Sequence, residues 1–230
     1  MQAFYDLHIH SALSPCADDD MTPNNIVNMA RLKQLDIIAV TDHNSAENIP
    51  AVQKVAAEAG LAFIPGIELN TAEEVHLLAL FADAEAALAC GREVYGALPA
   101  IPNKPDFFGN QLVMDENDEV IGTLDKLLIS ALPYSIDECF ELVFGYGGHI
   151  MPAHVNKGAN SVFANLGFMP PHLPVRAVEV FSGAPEMGDV SEYFVTHSSD
   201  AHNLWVVSER ENSVEVETVC AQTVLEKIFG

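Results

Sequence analysis

The segment DIIAVTDH (36–43) constrains the fold more than any other, because Ile37 to Val40 is apolar at every position. A strand with no polar face is buried on both sides, as in parallel sheets covered by helices. Helix-like stretches flank it. In TPNNIVNMARLKQL (22–35), Thr22 can N-cap, Pro23 suits the first turn, and Ile26, Val27, Ala30 and Leu35 mark an apolar stripe. NIPAVQKVAAEAG (48–60) reads as a helix stopped by Gly60. AFYDLHIH (3–10) precedes them, and AFIPGIEL, EVHLLALF and an alanine-rich helix near 83–98 follow. HIMPAHV (149–155), AVEVFS (177–182), YFVTHSSD (193–200) and SVEVETV (213–219) read as further strands, with VCAQTVLEKIF as a closing helix.

This alternation predicts one α/β domain over 1–230, its mainly parallel sheet either open or closed into a barrel with helices outside. The stretch 98–129 breaks the rhythm. QLVMDENDEVIGTL within it resembles a hairpin around Glu116–Asn117, so the stretch is expected to be an insertion, serving as a flap or a dimer contact.

Histidine placement supplies the chemistry. In DLHIH, residues two apart share a strand face, which puts Asp6, His8 and His10 on one side and Leu7 and Ile9 on the other. Asp42 and His43 close IIAVTDH, Glu68 follows FIPGI, His76 lies in EVHLLAL, His154 ends IMPAH, and SSDAH carries Asp200 and His202. Ligating groups at the C-terminal ends of strands are where barrel and open α/β proteins build their sites. Imidazoles with carboxylates, and no paired cysteines, suit zinc, manganese or iron better than calcium. More than six candidate ligands exceed what one catalytic ion needs, so a multinuclear site is expected. Metals that share a carboxylate can jointly present a hydroxide and stabilise both entering and leaving oxygens of a phosphoryl displacement.

The ordered set HIHSALSP, AVTDHN, GIEL, EVHLLAL, PAH and SSDAH, spanning 6 to 202, resembles the signature of the polymerase and histidinol phosphatase (PHP) superfamily. The resemblance implies a distorted seven-stranded β/α barrel, TIM-like, that holds two or three metals and hydrolyses phosphoesters. It implies that His8, His10, Glu68 and Asp200 hold one ion, that Asp18, His43 and His202 hold a second, and that Glu68, His76 and His154 hold a third, with Glu68 as the bridge. The loop after the first motif is three residues longer than the family pattern. Asp18 lies five before Pro23 and is preferred, with Asp19, Asp20 and Cys16 as alternatives. Where the family often carries a phosphate-binding arginine, this chain has Lys157, which can hold phosphate as a point charge. Asn44 is a candidate substrate contact or a turn residue. Asp6 either orients a ligand histidine or pairs with nearby backbone. His149, His172 and His197 are expected outside the site, and nothing fixes the direction of Arg210.

The function expected is a metal-dependent phosphoric ester hydrolase acting on a small phosphomonoester such as a nucleotide or sugar phosphate. Glu68, Asp200 and His202 are its catalytic candidates. Composition bears on the alternatives. Ten basic against 33 acidic residues give a net charge of −23, which disfavours extended nucleic-acid binding without excluding a few terminal nucleotides. A nuclease of oligonucleotide ends is therefore the runner-up, followed by an amidohydrolase-like C–N hydrolase and a non-catalytic regulatory metal-binding domain. Four scattered cysteines, no leader pattern and no long apolar run read as a soluble, cytoplasmic protein, with a homo-oligomer left open.

Overall fold

A computed structural model describes residues 1–185 and 187–230. The chain order is β1 (Gln2–Ile9), α1 (Pro23–Leu32), β2 (Ile37–Val40), α2 (Ile49–Ala59), β3 (Ala62–Asn70), β4 (His76–Leu80) and α3 (Ala84–Ala97). Then come α4 (Pro105–Phe108), β5 (Leu112–Met114), β6 (Val120–Thr123), α5 (Ile136–Gly145), β7 (His149–Pro152) and α6 (Val162–Leu166). The last elements are β8 (Ala177–Glu179), β9 (Phe194–Thr196), a 3-10 turn (Leu204–Val206), β10 (Ser213–Glu215) and α7 (Ala221–Phe229).

The fold is mixed α/β. Its main sheet is a curled half-barrel of six strands in the order β10-β1-β2-β3-β4-β7. β8 and β9 form a separate parallel pair, so the main sheet has one strand fewer than the expected seven. The sheet is also less parallel than expected. Only β1-β2 and β2-β3 run parallel, whereas β3-β4, β4-β7 and β1-β10 are antiparallel. The reason is local: residues 71–75 join β3 to β4 as a turn, and a connection too short for a crossover helix reverses the chain.

One row of strand side chains explains how the interior is filled. Leu7, Ala39, Ile64, Leu78, Met151 and Ala177 cluster together, and Val224, Leu225 and Ile228 of α7 close that cluster. Helices α1 and α2 cover a second core with Ile26, Val27, Val52 and Ala56 against Ile9, Ile38 and Val40. Helices α3 and α5 cover a third, built on Ile67, Leu77, Ala79 and Phe81. The helix ends follow their sequences: Thr22 accepts from Asn25 N–H, Gly60 adopts φ 71°, and Ser135 with Glu138 forms a capping box.

Stretch 98–129 contains α4 and the antiparallel hairpin β5-β6. It is tied down at several points: Leu112 N–H donates to Ala12 O, Asn48 bonds Leu112 O and Met114 N–H, and Asn24 bonds Glu116 O. Among the described residues, no helix is long and apolar enough to cross a membrane.

Candidate metal centre

The interior row of apolar side chains turns polar at one end. His43 lies four residues after Ala39, Glu68 four after Ile64, His76 two before Leu78 and Glu179 two after Ala177. Even spacing keeps each on the inward face of its strand or strand extension. β1 needs a correction to the simple alternation. Its register shifts between Asp6 and Ile9, and Leu7 joins the inner cluster while Ile9 joins the α1–α2 core. The irregularity leaves His8 and His10 together beside Glu68 and Asp200.

Eight of the nine expected ligands converge. Ligand atoms of His8, His10, Glu68 and Asp200 lie within 4.8 Å of one another, as do those of His10, His43 and His202, and of His43, Glu68 and His76. His154 Nε2 stands 3.2 Å from Glu68 Oε1, and His76 Nδ1 stands 2.8 Å from the same oxygen. Glu68 thus touches every ligand set except the one containing His202. Asp18 is not drawn in. It is exposed, and its contribution is a backbone N–H donated to His202 O. Asp19 accepts from Asn110, and exposed Cys16 lines the cavity mouth.

Hydrogen bonding explains why these groups suit a cation. Ser14 Oγ donates to Asp42, so it accepts from His10 Nδ1–H at 2.9 Å. Both Glu179 oxygens accept from His8 Nδ1–H, at 2.9 and 3.1 Å. With both Nδ1 atoms donating, the Nε2 lone pairs of His8 and His10 face each other at 3.2 Å. Two lone pairs hold that separation only if a proton or metal ion lies between them. His202 Nδ1 likewise donates to Asp200 O, turning its Nε2 free. Glu68 Oε2 and His43 Nδ1 are buried 3.0 Å apart with no hydrogen-bond partner, which leaves both as free donors to a cation. The residues present fit divalent metals.

Electrostatics agree with this arrangement. Burial works against charge on Glu68, but His76, His8 and His43 outweigh it and hold the carboxyl well below the usual range. Burial likewise opposes ionised Asp200, and His8 and His10 override it. Burial lowers His8, yet Glu179, Asp200 and Glu68 together raise it well above an ordinary histidine. His10 is similarly raised to about 9 by Asp200 and Glu68 against burial. Burial drives His43 far down, and burial with His10 takes His202 down to about 4. Without metal, the two front histidines therefore keep protons that an incoming ion would displace.

Two supporting carboxylates complete the site. Glu179, 1% exposed, also accepts from His154 N–H, and its own carbonyl accepts from Val155 N–H. Sequence reading missed it, although an acid inside an apolar strand, AVEV, was the available signal. Asp42 was seen at a strand end but given no role. It takes Ser11 N–H, Ser11 Oγ and Ser14 Oγ, and so props His10 through Ser14. Asp6 takes the backbone alternative: it accepts from Ser199 N–H, Ser199 Oγ and Ser208 N–H. That bonding anchors the loop bearing Asp200 and His202. His154 (φ 28°) and Asp200 (φ 51°) both adopt left-handed backbone, a strain that such sites concentrate.

The cluster opens into a cavity of about 780 Å³, lined also by Asn70, Ile129, Lys157 and Phe181. Lys157 Nζ contacts Asp200 Oδ2 and stands 4.6 Å from the Phe181 ring centre. Asn44 is fully buried and committed elsewhere: its amide donates to Leu128 O and Ser130 O and accepts from Asn70 N–H. His149 stacks on Phe229, His172 pairs with Asp137, and His197 bonds Val180 O, all outside the cluster. Arg210 pairs with Asp36 over the Phe4 ring.

Known proteins repeat parts of this chain. A segment of 84 residues is 36% identical to the 5'-3' exoribonuclease Rnm of Salmonella typhimurium, covering 34% of this chain and 28% of that protein. Another of 90 residues is 33% identical to the 3',5'-nucleoside bisphosphate phosphatase of Chromobacterium violaceum, covering 37% and 30%. The matches therefore span less than a third of either relative. The lesion-specific endonuclease PfuEndoQ of Pyrococcus furiosus has a similar fold, with a TM-score of 0.72 at 19% identity over 100% of this chain and 56% of that one. The family model described as PHP domain matches residues 6–158, more than half the length, and by that match the chain belongs to the PHP domain family.

Proposed function

We propose that this chain hydrolyses a small phosphomonoester at the histidine–carboxylate cluster. The observation that carries the reading is the single cation beside the cluster. Among the described lining residues of the cavity, Lys157 is the only lysine or arginine, and Asp200 holds it at the edge of the ligand set. One ammonium suits one phosphoryl group, and membership of a family with phosphatase and nuclease relatives supports phosphoester chemistry.

His8, His10, Glu68 and Asp200 would hold one ion, and His43, His76, His154 and His202 would complete one or two more around Glu68. Zinc, manganese and iron suit this donor set. When bound, such ions supply Lewis acidity and lower the pKa of water to near neutrality. The protein's own part is positional. Glu179 and Ser14 fix the tautomers of His8 and His10, so that both present lone pairs. Lys157 donates to a non-bridging phosphoryl oxygen and neutralises charge that grows there as the ester bond breaks. Asp200 orients Lys157 while serving as a ligand. His202, neutral at pH 7 because burial lowers it to about 4, acts as a lone-pair donor rather than an acid.

A second reading, cleavage of nucleic-acid ends, is favoured by the exoribonuclease and endonuclease likenesses. The net charge of −23 and the lone cavity lysine count against a long polyanion. The deciding experiment is phosphate release by manganese-loaded protein from nucleoside monophosphates, sugar phosphates and short single-stranded oligonucleotides, with His10→Ala as control. Turnover of a monoester, lost in the control, is the expected result. Cleavage confined to oligonucleotides would replace it with the second reading.

A further inference from the structure

A second cleft, of about 610 Å³, adjoins the first and shares Lys157, Phe181, Asp200 and His202 with it. Its remaining wall is built from Ser182, Ser199, Asn203, Asn212, Glu209 and Glu211 among others. Among its described lining residues, no cation other than Lys157 appears, and Lys157 stands on the wall common to both clefts. Both glutamates are exposed; Glu209 is paired with Lys33 at 2.9 Å. Lys33 is itself consumed, donating to Trp205 O and Val207 O.

We infer that this cleft receives the leaving group of the ester, and that it selects an uncharged or cationic hydroxyl- and amine-bearing body over one that carries a second phosphate. The inference rests on the phosphomonoesterase reading above and specifies its substrate. A phosphoryl group held on the cluster side of Lys157 has its ester substituent at the shared wall, where the second cleft begins. Hydroxyls, amides and carboxylates there accept and donate to sugar hydroxyls and base amines. A second phosphate would meet the Glu211 carboxylate, unpaired among the described residues, and Lys33 is already taken by Glu209, so the like-charge encounter is disfavoured there. This separates the chain from its relative named for 3',5'-bisphosphates, whose match covers only 37% of this chain.

The test compares kcat/KM for a nucleoside 5'-monophosphate and the corresponding 3',5'-bisphosphate, in wild-type metal-loaded protein and in Glu211→Gln and Glu211→Lys. Inhibition by the free nucleoside is measured alongside. The wild type should prefer the monophosphate by about tenfold, with the ratio falling in Glu211→Gln and falling further in Glu211→Lys. Glu85→Gln, on α3, should leave the ratio unchanged. Nucleoside inhibition that persists in Glu211→Gln supports a neutral-body subsite. Equal or better turnover of the bisphosphate by wild type, or a ratio unmoved in both Glu211 variants, overturns the inference while leaving the phosphoesterase reading intact. Absence of turnover for every ester in a protein shown to bind metal overturns both.

Discussion

Glu179 joins three segments through one side chain and its own carbonyl: His8 of β1, and His154 N–H and Val155 N–H after β7. Carboxylates that fix a ligand histidine raise its basicity and set its ring, and their loss typically costs about 10–100-fold in metal affinity. Glu179→Gln should therefore weaken metal binding by about that factor, measured by competition with a chromophoric chelator. An unchanged affinity would mean that the strand alone orients His8. Lys157→Gln should lower kcat/KM for a monoester by about 10–100-fold, the worth of a hydrogen bond to a charged group. Metal content measured by atomic absorption should stay at the wild-type level, because Lys157 is no ligand. At this scale the sequence was most legible where chemistry coincided with a strand end. His8, His10, His43, Glu68, His76, His154, Asp200 and His202 were all readable, and the structure brings their ligand atoms together. Asp18 was chosen by its spacing to Pro23, but spacing along an irregular loop does not fix side-chain direction. Asn44 was legible only as one of two alternatives, and its buried amide serves the turn at 128–130.

At the scale of elements, β3 is the most demanding piece. Gly66 sits two residues before Glu68, and a Cβ there would lie 2.6 Å from Thr41 Cγ2, 3.0 Å from Leu80 Cδ2 and 3.2 Å from Val40 O. The neighbouring backbone carbonyl cannot swing aside as a flexible side chain can. Gly66→Ala should destabilise the fold by about 1–3 kcal/mol, seen as a lower denaturant midpoint at unchanged slope. Helices α1, α2, α3 and α7 lie within a few residues of their expected places, because stripes, caps and Gly60 speak locally, whereas α4, α5 and α6 were not read from the sequence. Strand direction was not. Whether β4 and β7 run with or against β3 depends on the turn at 71–75 and on pairing partners far away in sequence, which a hydrophobic run does not encode. The bulge that separates Leu7 from Ile9 was hidden for the same reason, since alternation in DLHIH looks unbroken.

For the molecule as a whole, protonation and metal loading compete for the same lone pairs. His10 is raised to about 9 in the metal-free fold, and His8 moves in the same direction, against an ordinary value of 6.5. A histidine whose folded pKa exceeds its unfolded one stabilises fully below the unfolded value and loses that contribution as pH climbs through the folded one. Chelator-treated protein should therefore melt at a lower temperature at pH 9 than at pH 6.5. Metal-loaded protein should lack this fall, and loading at pH 7 should release protons detectable as a buffer-dependent heat.

Asp200 reaches His10 across 190 residues, and Asp6 binds Ser199 across 193 and Ser208 across 202. Seen as an object made from one end, the site has a long adolescence. During synthesis, His8, His10, His43, Glu68, His76 and His154 emerge well before Asp200 and His202 exist. The ring of imidazoles thus stays unfinished until the segment bearing Asp200 and His202 has been added. Contacts so distant in sequence form slowly, which makes the seam between the first strand and the Ser199–Ser208 loop the expected last step of folding.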